Sequence, residues 1–229
     1  LEFRRVLFRS PSTNQRIVDA GCGVGSIALN LGLLFPTIKV YGLNVVDDQL
    51  AQACNTSLAL GTTNVHFLLQ DYQRTAFQDN TIDTIVFCES LAHSQNKAEL
   101  TSEAFRILKS GGKLLIADVF TRDVQFTLEE QQHFTNFQRG MGVPNIIRLD
   151  KFIGYLKFTG YTNIHPHNIT AHVLPSAIFA SKHAKQQYEL QHETATELMQ
   201  HGRLAMIGVE KLMSAKKADY YFLKANQPL

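Results

Sequence analysis

The sequence predicts an α/β fold in which a mostly parallel sheet is flanked by helices, and three observations support this prediction. From residue 16 onward, short apolar runs alternate with longer amphipathic segments, which is typical of βα units. A glycine-rich turn follows the first apolar run and opens the first helical segment. The 229 residues, 45% hydrophobic and 18% charged, can bury one core, so we expect residues 11–229 to form a single domain.

The first half of the chain has the more regular pattern. Short apolar runs predict strands at residues 16–20, 39–43, 65–69, 81–88 and 113–118. Amphipathic segments predict helices at residues 25–34, 49–60 and 97–109. The fourth strand is apolar enough to lie in the centre of the sheet, and the Gly111-Gly112 pair is expected to end the third helix.

The second half has a looser pattern. It predicts helices at 128–137 and 149–159, an edge strand at 161–169, helix-forming sequence across 177–213 and a last strand at 220–225. No internal repeat, low-complexity segment or linker interrupts it.

Composition excludes several classes of partner. The net charge of +2 comes from 22 basic and 20 acidic residues scattered along the chain, so we expect no nucleic-acid binding. No apolar run approaches the roughly 20 residues of a membrane-spanning helix, so we expect no membrane span. Cys22, Cys54 and Cys88 fit neither a disulfide framework nor a zinc pattern, which predicts a reducing, cytoplasmic location.

The first ten residues, LEFRRVLFRS, are basic and apolar but have neither helical nor strand periodicity. They resemble translated cloning sequence and are interpreted as a non-native leader, outside the fold. On this interpretation the native N-terminal segment is missing.

The strongest local signal is VDAGCGVG at residues 18–25, a strand that runs into a glycine turn. Glycines allow positive φ and close approach of a ligand, and the first turn of the following helix presents free N–H groups. The third glycine comes too early for the dinucleotide-binding fingerprint. Asp19 precedes the turn, where a carboxylate can pair with a cationic amino group.

This D-x-G-C-G-x-G segment resembles the first motif of class I S-adenosylmethionine methyltransferases. Three further segments resemble motifs of that family in the same order: QDY at 70–72, FQDNTID at 77–83 and RILKSGGK at 106–113. The resemblance covers residues 16–120. It implies a Rossmann-like, seven-stranded, mostly parallel sheet with an inserted helical lid for the acceptor. It also implies S-adenosylmethionine as cofactor and S-adenosylhomocysteine as product, with a cofactor half at 16–120 and an acceptor half at 121–229.

The chain departs from the family at the end of the second strand, where many members carry an acidic residue for the ribose. Here GLNVV at 42–46 lacks one, and Asp47 and Asp48 come late. The segment is similar to that of sterol, tocopherol, cyclopropane-fatty-acid and geranyl-diphosphate methyltransferases, which implies ribose contacts from Asn44 and Gln49. A surface position on the second helix is the alternative for Gln49. By the resemblance, the cofactor-binding residues are Asp19, Gly21, Cys22, Gly23, Gly25, Leu43, Asn44, Gln49, Gln70, Asp71, Tyr72 and Cys88.

The fourth strand ends in FCESLAH at residues 87–93, and ligands of open α/β sheets bind beyond the carboxyl ends of the strands. The segment resembles the E-S/A-x-x-H of sterol-like small-molecule methyltransferases, which implies catalytic roles for Glu89 and His93. His93 would accept a proton from a hydroxyl or amine, and Glu89 would stabilise a carbocation. The alternatives are a helix cap for Glu89 and helix packing for His93.

Aromatic and methionine side chains in the second half favour an apolar acceptor, although each also suits a core position. They are Phe126, Phe134, Phe137, Met141, Phe152, Phe158 and Phe179. His165, His167 and His172 lack a nearby cysteine or carboxylate partner, so no metal site is expected.

The leading hypothesis is methyl transfer to carbon or oxygen of a small lipophilic acceptor, such as a terpenoid, a sterol-like molecule or another natural product. Two alternatives stay open: a small-amine N-methyltransferase, and a catalytically silent module that binds cofactor or protein. A homodimer also stays open.

Overall fold

The computed structural model describes residues 13–190 and 195–229. Within them the seven strands of one sheet are β1 (Arg16–Ala20), β2 (Lys39–Asn44), β3 (Val65–Leu69), β4 (Ile82–Cys88), β5 (Leu108–Thr121), β6 (Thr162–Asn168) and β7 (Ala218–Asn226). The sheet order is β3-β2-β1-β4-β5-β7-β6. Five strands pair in parallel, and β7 runs antiparallel to both of its neighbours. The predicted fold class is confirmed.

The described helices connect most of these strands. They are α1 (Ser26–Leu34), α2 (Asp47–Leu60), α3 (Lys97–Ile107), α4 (Leu128–Met141), α5 (Leu149–Thr159), α6 (Thr170–Leu190) and α7 (Glu197–Ser214), with a short 3-10 turn at Leu91–His93. Local sequence sets their ends: Thr127 and Glu130 form a capping box at the start of α4, and Gly61 ends α2 in a left-handed conformation.

Alternating residues of the central strands supply two apolar layers, one on each face of the sheet. On one face Val18, Ile85 and Ile116 join the larger buried cluster. On the other face Ile17 and Val86 pack with α1 and β2 residues. The carboxyl ends of the parallel strands therefore lie side by side in a sheet that is packed on both faces.

A third apolar cluster covers these carboxyl ends. It joins Ala92 of the 3-10 turn and Val119 of β5 to Phe137 of α4 and Ala205 of α7. Helices α4 and α7 approach closely at Gly208, where a Cβ atom would lie only 2.5 Å from the His133 carbonyl oxygen. The inserted helices thus form a packed layer over the edge of the sheet that bears the site.

Several predicted boundaries are wrong. Helix α2 begins at Asp47 rather than 49, α4 ends at Met141 rather than 137, and β7 spans Ala218–Asn226 rather than 220–225. The third helix ends at Ile107 rather than 109, and β5 begins at Leu108 rather than 113, because Leu108 pairs with Ile82 of β4. Gly111, at φ +74°, bends β5 and does not end the helix. Helical structure across 177–213 is in fact two helices, and α6 begins earlier, at Thr170.

The interpretation of residues 1–10 as a leader falls outside the described residues. Among residues 13–190 and 195–229, no helix has the length and apolar character to cross a membrane.

Candidate active site

The glycine turn after β1 forms the floor of a cleft. Gly21, Gly23 and Gly25 all have positive φ, at 77°, 55° and 83°. The backbone N–H groups of Gly21 and Cys22 donate to the Leu43 carbonyl at 2.9 Å, which ties the turn to the end of β2. A Cβ at Gly21 would lie 2.6 Å from that of Ser90, so glycine is required for close packing as well as for conformation.

Asp19 lies beneath this turn and is almost completely buried. The Ala28 N–H donates to its carboxylate, but no group in the described residues pairs with its buried Oδ2. Burial raises the pKa of Asp19 to about 7. Asp19 does not itself line the cleft, but a buried carboxylate with one unpaired oxygen is suited to a cationic donor.

Asn44 and Gln49 meet at one side of the cleft. The Asn44 Nδ2 donates to the Gln49 Oε1 at 2.7 Å and to the Gly23 carbonyl at 3.4 Å, while the Val45 N–H donates to the Asn44 Oδ1 at 2.9 Å. This network brings together two side chains that the sequence analysis assigned to the ribose.

Asp71 and Tyr72 follow β3 and also line the cleft. The Asp71 Oδ1 accepts the Gln73 N–H at 2.8 Å, which fixes the loop. The Tyr72 Oη donates to the Ser90 carbonyl at 2.9 Å, and burial raises the pKa of Tyr72 well above its ordinary value.

The remaining predicted cofactor residues lie behind the cleft and do not line it. The Gln70 Oε1 accepts the Ala76 N–H at 3.0 Å within a loop, and Leu43 is fully buried. Cys22 and Cys88 are half-buried, and Gly25 packs against a ring of β3. Burial raises the pKa of both thiols to about 12, so they stay neutral.

The cleft has a volume of about 400 Å³. Its wall also contains residues that the sequence analysis missed, namely Val45, Val46, Gln73 and Ser90. Val45 and Val46 directly follow the end of β2, and this position could have predicted them as lining residues from the sequence.

A second cavity of about 240 Å³ lies under the helical layer and is lined mainly by apolar groups. Phe137 and Met141, two of the predicted apolar residues, line it. Elsewhere Phe126 packs on Phe134, Phe152 lies in the core, and Phe158 and Phe179 are exposed. The other lining residues include Ala92, Val119, Val143, Val173, Ser176, Ala177, Ala180, Met206, Val209 and Met213.

Glu89 and His93 line both the cleft and the cavity. Glu89 has a left-handed backbone at φ 54°, which costs energy for a non-glycine residue and is concentrated at functional sites. The Tyr220 Oη donates to the Glu89 Oε1 at 3.0 Å and approaches the Ala117 carbonyl at 3.3 Å. Tyr220 was predicted only as the start of a strand and is a site residue that the sequence analysis missed.

Two buried charged groups hold the turn that carries His93. Asp118 accepts the Ala92 and Val119 N–H groups, and burial raises its pKa to about 7. Lys97 donates to the Ala92 and Ser94 carbonyls, and burial lowers its pKa to about 8.

The position of His93 favours a neutral imidazole. Burial and the nearby Lys97 cation lower the pKa of His93 below its ordinary 6.5, despite an opposing hydrogen bond with Gly142. A neutral ring can accept a proton at pH 7.

His165 and His167 lie exposed on β6, and His172 lies on α6. Within residues 13–190 and 195–229, no group of three or more histidine, cysteine, aspartate or glutamate residues is arranged to hold a metal ion.

A glycine turn at the carboxyl end of β1, a polar cleft beside it and an adjoining apolar cavity define a Rossmann-like protein with the concave spaces that are typical of small-molecule sites. The sequence matches the family described as Methyltransferase domain over residues 11–225, so the chain belongs to that family. The resemblance inferred from the four motifs is confirmed.

Curated relatives share the matched region. Methyltransferase phqN of Penicillium fellutanum is 30% identical over 151 residues, which are 64% of this chain and 46% of that protein. Sterol 24-C-methyltransferase ERG6A of Gibberella zeae is 26% identical over 156 residues, which are 66% of this chain and 40% of that protein. The match therefore spans less than half the length of either relative.

Solved structures share the fold. Phosphoethanolamine N-methyltransferase 2 of Haemonchus contortus, solved with phosphomonomethylethanolamine and S-adenosylhomocysteine, superposes with a TM-score of 0.82 at 20% identity, covering 99% of this chain and 51% of that one. Geranyl diphosphate C-methyltransferase of Streptomyces coelicolor A3(2), solved with Mg²⁺, geranyl-S-thiolodiphosphate and S-adenosylhomocysteine, gives 0.78 at 17% identity, covering 99% and 74%.

Proposed function

We propose that the protein transfers a methyl group from S-adenosylmethionine to a carbon or oxygen atom of a small lipophilic acceptor. One observation carries the proposal: Glu89 and His93 belong to both the polar cleft and the apolar cavity, so the two spaces meet at these side chains. A two-substrate transfer needs this arrangement, because both reactants must face one point from which water is excluded.

The cleft residues fit the cofactor. Asp19 offers an unpaired buried oxygen to an amino group, and Gly21 and Gly23 leave room for a ligand to approach the backbone. Asn44 with Gln49 would hold the ribose, and Asp71 with Tyr72 would hold the adenine. When bound, S-adenosylmethionine supplies a methyl group on a sulfonium that is already primed for in-line displacement.

The cavity residues favour a lipophilic acceptor. Most of the lining is aliphatic, aromatic or methionine, and the ionisable groups, Glu89, His93, Asp118 and Tyr220, gather near the carboxyl ends of the strands. An apolar body would fill the helical side, and the reacting atom would lie among the polar groups.

Two chemical roles follow for these polar groups. For a hydroxyl acceptor, the neutral His93 imidazole would accept the proton. For an alkene carbon, the Glu89 carboxylate, held by Tyr220, would stabilise the positive charge. The nearby carboxyl of Asp118 is the observation that favours the amine alternative, because carboxylates also bind ammonium groups.

Calorimetric titration with S-adenosylhomocysteine, with NAD as the control ligand, tests the cofactor. Micromolar binding of the first ligand alone supports the proposal, and binding of neither supports a silent module. Transfer of radiolabelled methyl to isoprenoid, sterol, phenolic and amine panels then tests the acceptor, and turnover of amines alone would replace the lipophilic acceptor by the alternative.

A further inference from the structure

An outer groove lies between α6 and α7, on the far side of the apolar cavity. It has a volume of about 660 Å³, and Phe179, Ala184, Met199 and Gly202 contribute to its lining. Ala180 and Met206 line the groove and the inner cavity alike. These two side chains therefore form a shared wall, one side of which faces the site and the other the protein surface.

This wall is poorly suited to close the cavity permanently. Ala180 contributes only a methyl group from α6, and Met206 contributes a flexible, unbranched side chain from α7. Gly202 lies one helical turn before Met206, and a Cβ there would meet no atom within 4 Å. A change of the Met206 rotamer has space available in the groove.

The inner cavity is small for a complete lipophilic acceptor. Its 240 Å³ is below the range of about 300–1,000 Å³ that is usual for small-molecule sites. The cleft on the opposite side is polar and is assigned to the cofactor. An acceptor that is longer than the cavity would extend past Ala180 and Met206.

We propose that the acceptor carries a long apolar tail that passes between Ala180 and Met206 into the outer groove. This inference rests on the proposed function and adds a substrate class to it. The groove supplies apolar surface of its own, because Phe179 is 75% exposed and Met199 is 50% exposed. Continuity with the inner cavity favours a tail of the acceptor over a separate ligand as the occupant.

A chain-length series tests the passage. The probes are 4-n-alkylphenols from ethyl to octyl, titrated by calorimetry into protein saturated with S-adenosylhomocysteine. Each buried methylene is expected to tighten binding about fourfold, and the increase should continue to the longest tail. In Met206→Trp, the indole should fill the passage, so the gain in affinity with tail length should stop at a shorter tail than in the unmodified protein.

Two further variants keep the test decisive. Gly202→Phe should block the groove from outside without altering the inner cavity. The increase in affinity should then stop at a longer tail than in Met206→Trp. Leu198→Trp is the matched control, because Leu198 lies on the same helix, is 77% exposed and lines neither space. Leu198→Trp should show the same increase in affinity with tail length as the unmodified protein.

The inference is overturned if the unmodified protein reaches its plateau at the same tail length as Met206→Trp. It is also overturned if long tails add nothing while Phe179→Glu converts a dimer to monomer in sedimentation, because the groove is then a contact between copies. Failure of S-adenosylhomocysteine to bind would refute the proposed function separately. Binding of that ligand without any alkylphenol binding would refute the apolar acceptor and its tail.

Discussion

Tyr220→Phe is the substitution that most directly tests the chemistry at the junction. It removes one oxygen atom, and with it the hydrogen bond of 3.0 Å that Tyr220 donates to the Glu89 Oε1. The ring stays in the wall of the apolar cavity, so the shape of the site changes little. Glu89 has a left-handed backbone, a conformation that persists where surrounding contacts fix it, and this hydrogen bond is one of those contacts.

The size of the effect follows from this one contact. A hydrogen bond to a charged group contributes about 1.5–3 kcal/mol, and about 1.4 kcal/mol changes a rate tenfold. Glu89 keeps access to solvent, and water can replace part of the lost contact. We therefore expect kcat to fall roughly tenfold, while the affinity for S-adenosylhomocysteine changes by less than about twofold.

The assay measures kcat and KM for an acceptor from the panel, together with calorimetric affinity for S-adenosylhomocysteine. Tyr221→Phe is the matched control, because the adjacent ring packs edge to face on Phe120 in the core, 6.0 Å between centroids. Equal kcat in both variants would show that the Tyr220 hydroxyl has no part in the reaction. A loss of cofactor affinity would show that Tyr220 serves the cleft instead.

Three further predictions concern the cleft, its buried carboxyl and the helical layer. Gly23→Asp should weaken S-adenosylhomocysteine binding at least 100-fold in calorimetry, because it strains a positive φ and places a carboxylate in the cleft, with its Cβ 3.9 Å from the Gln49 Oε1. Asp19 has a folded pKa of about 7 against 3.8 ordinarily, so its contribution to stability is complete below about pH 4 and is lost as pH rises through 7. The ligand-free protein should therefore lose thermal stability between about pH 4 and 7, and Asp19→Asn should reduce that loss. Gly208→Ala should destabilise the fold by about 1–3 kcal/mol in urea unfolding, because its methyl group would overlap the His133 carbonyl.

Matched variants separate these predictions from general damage. Gly61→Asp is the control for Gly23→Asp, because Gly61 also has a positive φ, +66°, but a Cβ there meets no atom within 4 Å. It should bind S-adenosylhomocysteine normally. Asp48→Asn changes an exposed carboxyl and should leave the pH dependence intact. Gly154→Ala, where a Cβ meets nothing within 4 Å, should stabilise its helix by about 0.5–1 kcal/mol. If any control behaves like its partner variant, the corresponding reasoning is refuted.

Much of the fold was predictable because its signals are local. The apolar runs of β1 and β3 and the amphipathic pattern of α5 gave the observed boundaries. The prediction for the stretch after Ile107 was wrong because its structure depends on a distant contact. Leu108 and Lys109 are compatible with a helix locally, but pairing with β4 places them in a strand.

The amino-acid sequence by itself determined the order of the strands, the glycine turn beneath the cleft and the position of Glu89 and His93 after the fourth strand, because each depends on neighbours along the chain. The candidate roles of Glu89 and His93 came from the family resemblance. Only the tertiary structure placed Tyr220 against Glu89, 131 residues away, and buried Asp118 behind the turn that carries His93. It also decided which apolar side chains line the apolar cavity, since Phe137 lines it while Phe158 faces solvent. Helical periodicity identifies the apolar face of a helix but not the surface that packs against it. That surface depends on how α4, α6 and α7 pack together over the sheet.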